Sequence, residues 1–131
     1  MKRLLIDTNV YSAFKTNSPD AVERFRQAER LFICATVHGE LLAGFKCGSR
    51  GDKNTAELEE SLDRPRVDYL TTDAATAEYY AEVFRALRGR GTPIPTNDMW
   101  IAASAMQHGL AVYTRDAHFR NVEGLITIVL E

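Results

Sequence analysis

Five short apolar runs punctuate this chain of 131 residues, at 4–6, 31–35, 67–70, 110–113 and 126–130, and helix-forming segments fill most of the intervals between them. Leu4 to Ile6, with no polar alternation, reads as a buried strand, 31–35 as a second, and the remaining three as further short strands. Strands that alternate with helices call for a parallel sheet with helices on both faces, joined by right-handed crossovers. The expected class is therefore α/β, with about five strands. The length suffices for one real core and is short for two, so a single domain over 1–131 is expected.

The intervals carry recognisable punctuation. A short helix is expected over 11–15. Ser18-Pro19-Asp20 begins another, with a capping hydroxyl, proline at the first helical position and an acid in the first turn, and AVERFRQAER follows. Thr36 is placed to cap VHGELLAGFKCG, whose Val37, Leu41, Leu42 and Phe45 share a face. SRGDKN at 49–54 reads as a polar loop and 55–63 as an acidic helix stopped near Pro65. Thr72-Asp73 starts a long helix to about Arg88 that ends at GRG. Thr92-Pro93-Ile94-Pro95 must be a loop, and Thr96 or Asn97 caps DMWIAASAMQ, which ends at Gly109.

Composition bounds the function. Hydrophobic residues make up 45% and charged residues 26%, as in ordinary soluble domains. No apolar run approaches the roughly 20 residues of a membrane span, and the run after Arg3 is too short for a signal peptide, so a cytoplasmic protein is expected. Cys34 and Cys47 lack metal-ligand spacing and read as small buried residues in a reducing compartment. The net charge of −2 gives no basic face by itself, but sequestering several acids in one pocket would leave the remaining surface positive.

Four acids share one topological address. Asp7 ends the first strand, and Glu40 is expected in the first turn of the helix after the second. Asp98 lies in the first turn after the proline loop, and Asp116 follows the fourth strand. In an open α/β sheet the carboxyl ends of strands and the starts of the following helices form the ligand-binding edge. Each acid alone reads as readily as a cap or helix-dipole partner. Together, four carboxylates would repel one another unless a cation neutralised them, and hard oxygen donors suit Mg²⁺ or Mn²⁺. Asn9 and Thr114 adjoin Asp7 and Asp116 and are suited to orient them.

In the same order and spacing, LLIDTN, TVHGELLAG, NDMWIAASA and YTRDAHF resemble the PIN-domain nucleases, and more closely the toxins of VapBC-type toxin–antitoxin pairs. The resemblance covers essentially the whole chain. It implies a PIN-like domain with sheet order 3-2-1-4-5 and metal-dependent cleavage of RNA. It also implies a homodimer and neutralisation by a small VapB-type antitoxin that covers the site. Asp7, Glu40, Asp98 and Asp116 would form the acidic cluster, with Asp7 and Asp98 the most direct metal ligands and Asn9 and Thr114 in support. Asp116 or Glu40 is expected to help position the attacking water.

Other residues have plainer readings. Arg115 beside Asp116 is as readily a solvated arginine as a phosphate contact. Lys46, Arg50, Lys53, Arg85, Arg88 and Arg90 read first as solvated faces and second as an RNA path. His118 reads as structural, and His38 and His108 as surface or capping residues. Trp100 and Ile101 read as core. Tyr79, Tyr80, Val83, Phe84 and Leu87 form a helical stripe for the core or a dimer seam, with an antitoxin groove as the alternative.

Two competing functions are less well served. A haloacid-dehalogenase-type phosphatase needs a second Asp two positions after the first, where this chain has Asn9. A receiver-like module that binds metal or phosphate without catalysis is the alternative from another class. Neither GxGxxG nor GxxxxGK[ST] is present to support a nucleotide-binding domain.

Overall fold

The computed structural model describes residues 3–131. At its centre lies β1 (Arg3–Ile6), hydrogen-bonded in parallel to β2 (Arg30–Cys34) on one side and β4 (Ala111–Thr114) on the other. β3 (Val67–Leu70) pairs with β2, and β5 (Thr127–Val129) pairs with β4, both in parallel. The order is β3-β2-β1-β4-β5, as expected. Leu4, Leu5 and Ile6 are all within 1% of complete burial, although successive side chains of a strand point to opposite faces. Both faces of the sheet are therefore covered. The covering helices are α1 (Thr8–Lys15), α2 (Pro19–Gln27), α3 (Ala35–Cys47), α4 (Gly51–Leu62), α5 (Ala74–Arg90) and α6 (Thr96–His108). Among the described residues no helix is long and apolar enough to cross a membrane.

Chain direction along this order determines where a site can form. The chain starts at the central strand, steps outward through β2 and β3, then returns to the other side of β1 for β4 and β5. The switch point is the gap between the carboxyl ends of β1 and β4, where crossovers leave in opposite directions and a crevice opens.

Several element boundaries differ from the sequence expectation, each for a local reason. α1 begins at Thr8 rather than at residue 11, because Asp7 itself is the N-cap and accepts a hydrogen bond from the Thr8 N–H. α2 stops at Gln27 because Arg30 belongs to β2, where its guanidinium grips Asp68 of β3 at 2.6 and 2.9 Å. α3 starts at Ala35, straight from β2 and without a side-chain cap, so Thr36 does not cap it. Thr96 and Asn97 likewise do not cap α6, whose N-cap position is Pro95. α5 runs through Gly89 to Arg90 and ends at Gly91 (φ 68°), a left-handed conformation that glycine adopts without strain. Its start is as read, with Asp73 and Thr76 in a capping box. Cys34 is buried, whereas Cys47 is exposed at the end of α3 and so is not the buried residue expected.

The polar stretch 49–54 is not wholly a loop, since its last four residues form the first turn of α4. Gly51 allows this. A Cβ there would lie 2.8 Å from the Phe45 carbonyl oxygen of α3, closer than real contacts permit. Replacing Gly51 with Ala must push two backbones apart. We expect Gly51→Ala to cost about 1–2 kcal/mol, seen as a lower urea midpoint at constant m-value. An unchanged midpoint would mean the junction yields freely.

Candidate active site

The site begins where β1 ends. The Asp7 N–H donates to the Tyr113 carbonyl (3.0 Å), continuing the ladder that holds β1 against β4. This pairing sets Thr114 beside Asp7, and the Thr114 hydroxyl donates to Asp7 Oδ2 at 2.6 Å. The same Thr114 oxygen accepts the Asp116 N–H at 3.0 Å, fixing the turn after β4. From α1, Asn9 completes the link: its Nδ2 donates to Asp116 Oδ2 (3.2 Å), and its Oδ1 accepts the Arg115 N–H (3.0 Å). Asn9 and Thr114 thus support the acids as their positions implied. The Arg115 side chain is exposed, and the residue enters this network through its backbone.

Glu40 reaches the site from α3. Because α3 starts at Ala35, Glu40 is in the second turn rather than the first. Its Oε1 accepts the Thr8 hydroxyl at 2.6 Å and its Oε2 accepts Asn97 Nδ2 at 3.2 Å. Thr8, and Asn97, which the sequence offers as a helix cap, therefore act on Glu40. Asp98 is in the first turn of α6, as expected, and is only 9% exposed. His118, on a 3₁₀ turn over Ala117–Asn121, places Nε2 at 2.6 Å from Asp98 Oδ2. His118, read from the sequence as structural, meets an acid of the candidate site through this contact. The spacing of Asp116 and His118, two residues apart on an exposed turn, was the available signal.

Electrostatics tie the four acids together. Burial holds the Asp7 carboxyl above its ordinary 3.8, at about 6. The hydrogen bonds from Thr114 and Thr8 offset this in part, while the charges of Asp98 and Glu40 add to it. Burial also raises Asp98, opposed by the hydrogen bond and charge of His118 and reinforced by Asp116 and Glu40. Among the described residues, no Lys or Arg stands within ion-pair distance of Asp7, Glu40, Asp98 or Asp116, although the other ion pairs of the fold use them freely. Among the described residues, the fold gathers carboxylates into low dielectric, takes up part of their hydrogen-bonding capacity with protein donors, and sets no Lys or Arg against them, His118 facing Asp98 alone. A divalent cation fits such a donor set in charge and in hardness.

The remaining expectations resolve simply. Lys46, Arg50, Lys53, Arg85, Arg88 and Arg90 are exposed; Arg85 is paired with Glu82, and Arg90 donates to the Asn121 carbonyl. Ile101 is buried, while Trp100 is half-buried and stacks on Tyr80 at 4.1 Å between centroids. His38 bonds the Tyr69 hydroxyl at 2.9 Å, on the surface as expected.

Known proteins place this geometry. The PIN domain family model matches residues 4–125. Ribonuclease VapC4 of Mycobacterium tuberculosis is 32% identical over 116 residues, covering 88% of each chain. A DNA-bound VapBC structure from Salmonella typhimurium superposes with a TM-score of 0.86 at 26% identity, covering 98% of both chains. VapBC2 from Rickettsia felis, bound to a promoter fragment, shares the fold at a TM-score of 0.88, covering 98% of this chain and 99% of that one at 21% identity. With its sheet order, its acidic crevice and a family match over nearly its whole length, the chain belongs to the PIN-domain family and is a homologue of the VapC ribonucleases.

Proposed function

We propose that this chain is a divalent-metal-dependent endoribonuclease, the toxin of a type II toxin–antitoxin pair, with all of 1–131 acting as one cytoplasmic PIN-like unit. The observation that carries this reading is an acidic cluster that, among the described residues, has no Lys or Arg partner: Asp7 is buried to 3% exposure with its carboxyl pushed up to about 6, and Asp98 and Glu40 are close enough to raise it further. Kinship to a protein named as a ribonuclease supports RNA as the substrate class.

Asp7, Glu40, Asp98 and Asp116 would hold the ion, Mg²⁺ with Mn²⁺ as a substitute. Bound there, the ion supplies Lewis acidity at a phosphate oxygen and lowers the pKa of water. The chain's own residues do the positioning. Thr114 and the Thr8 N–H hold Asp7 from both oxygens, and Thr8 and Asn97 hold Glu40. Asn9 holds Asp116 against the end of β4. Glu40 and Asp116 are only half-buried, which suits them to orient an attacking water at the mouth. The exposed Arg115 is placed to meet a phosphate.

Two other surfaces fit the same reading. An apolar groove of about 670 Å³ runs between α1, α2 and α4, lined by Tyr11, Phe14, Val22, Phe25 and Leu62, with Lys15, Arg26, Arg64 and Arg66 among its charges. It suits an apolar segment of a VapB-type antitoxin, and solved relatives described as VapBC complexes support such a partner. On α5, Tyr79 and Phe84 are 39% and 41% exposed and offer a seam for a second copy.

Asp7→Asn and Asp98→Asn should each lower RNA cleavage by at least about 100-fold, or roughly 3 kcal/mol of transition-state stabilisation, with unchanged circular dichroism. Chelator should silence the unmodified protein, and cleavage that survives chelation would exclude the metal mechanism. Val22→Glu should weaken inhibition by the co-expressed antitoxin while leaving cleavage intact; full inhibition would move the partner off this groove.

Stability of the metal-free protein offers an independent check. Asp7 binds its proton more tightly folded than unfolded, so its contribution favours the fold at low pH and is lost as pH rises. The loss starts near the unfolded value of about 4 and is complete above about 6, for a total of roughly 2–3 kcal/mol. In chelator, the urea midpoint should fall across this window, and the fall should be shallower in Asp7→Asn. Identical slopes would mean that Asp7 carries no such penalty.

A further inference from the structure

Of the four acids, only Asp98 is met by an imidazole. One ligand atom from each of Asp98, Asp116 and His118 lies within 4.8 Å of the other two. The His118 ring is not loosely placed: it stacks on Phe119, with centroids 5.2 Å apart and planes inclined by 28°, and Phe119 is fully buried. The side chain nevertheless remains one-third exposed, at 33%. Oxygen, oxygen and nitrogen donors thus come together beside a buried acid, with the nitrogen partly open to solvent.

We propose that His118 is a nitrogen ligand to the cation of this site, alongside Asp98 and Asp116, and that it tilts the site toward a transition ion such as Mn²⁺ over Mg²⁺. The inference rests on reading the acidic crevice as a cation site. Bonds of about 2.1 Å place adjacent ligand atoms roughly 3 Å apart and opposite ones roughly 4.2 Å apart. The three donors lie within 4.8 Å of one another, so side-chain shifts of well under an ångström bring them to these separations. The Asp98–His118 contact at 2.6 Å has to open by only a few tenths of an ångström to become a pair of adjacent ligands. Imidazole discriminates between ions: Mg²⁺ keeps to oxygens and water, whereas first-row transition ions accept nitrogen readily. The competing role, a hydrogen bond that merely orients Asp98, predicts the same fold and the same loss of activity on mutation, so activity alone does not separate the two.

Pulsed electron paramagnetic resonance of the full chain loaded with Mn²⁺ does separate them. A nitrogen directly bound to Mn²⁺ modulates the electron spin echo, and a nitrogen one atom further away does not do so at comparable depth. The expected result is a ¹⁴N modulation in the unmodified protein that disappears in His118→Asn, where His38 and His108 remain. Mn²⁺ bound without nitrogen modulation would overturn the proposal while leaving the acidic cation site intact. Failure to bind Mn²⁺ at all would overturn both. As a second measurement, His118→Asp restores an all-oxygen set. By calorimetry, its affinity for Mn²⁺ relative to Mg²⁺ should fall roughly ten-fold, and an unchanged ratio would count against ligation by His118.

Discussion

The hydrogen bond from Thr114 to the buried carboxylate of Asp7 joins the ends of β1 and β4, and the rest of the site is assembled around it. It spans 107 positions of sequence in a single contact. It exists because β1 and β4 are neighbours in register, with Ile6 opposite Tyr113, so that the next residue on each strand arrives at the same point of the sheet edge. Thr114 also accepts the Asp116 N–H, and Asn9 secures Asp116 and Arg115 from the other side. Two strands and the first turn of α1 thereby form one rigid frame. α3 and α6 bring Glu40 and Asp98 to it, and Asn97 of α6 bonds Glu40 of α3.

This arrangement opposes stability. A carboxylate buried without a cation raises its own proton affinity and destabilises the folded state wherever it is ionised. The apolar strands around it supply the compensation. β1 and β4 are buried almost completely on both faces, and each fully buried large aliphatic side chain contributes about 1.5–3 kcal/mol. The core thus tolerates a cluster of buried and half-buried carboxylates. The basic side chains of the fold are engaged elsewhere or exposed, as with Arg30 on Asp68 at the far end of β2.

Helix starts in this fold serve two purposes, and this is why single residues read ambiguously. Asp7 caps α1 and lies in the acidic crevice; Asp98 sits in the first turn of α6 and faces His118. The helix-start reading of these acids holds and does not compete with the proposed site reading, because the carboxyl edge of a parallel sheet is where helices start and where ligands dock. Thr8 and Asn97 illustrate the converse. As polar residues at helix starts they resemble caps, yet their side chains turn away from their own helices to Glu40.

Hydrophobic pattern alone was enough for the class of fold, because short, mostly apolar runs of three to five residues separated by helical segments fit little other than a parallel sheet covered by helices. It was enough, too, for the addresses of Asp7, Asp98 and Asp116, which follow from strand ends and helix starts. The register of Glu40 on α3 was not legible, since the helix grows from β2 without a side-chain cap to mark its first turn. Nor was the first turn of α4, which depends on the absence of a Cβ beside a carbonyl of another helix. The partner of each carboxylate oxygen was decided only in three dimensions. Thr8 with Glu40, Asn9 with Asp116, Thr114 with Asp7 and His118 with Asp98 are contacts between segments 20 to 107 residues apart. Local sequence sets which residues reach the sheet edge, but strand order and register decide which of them meet.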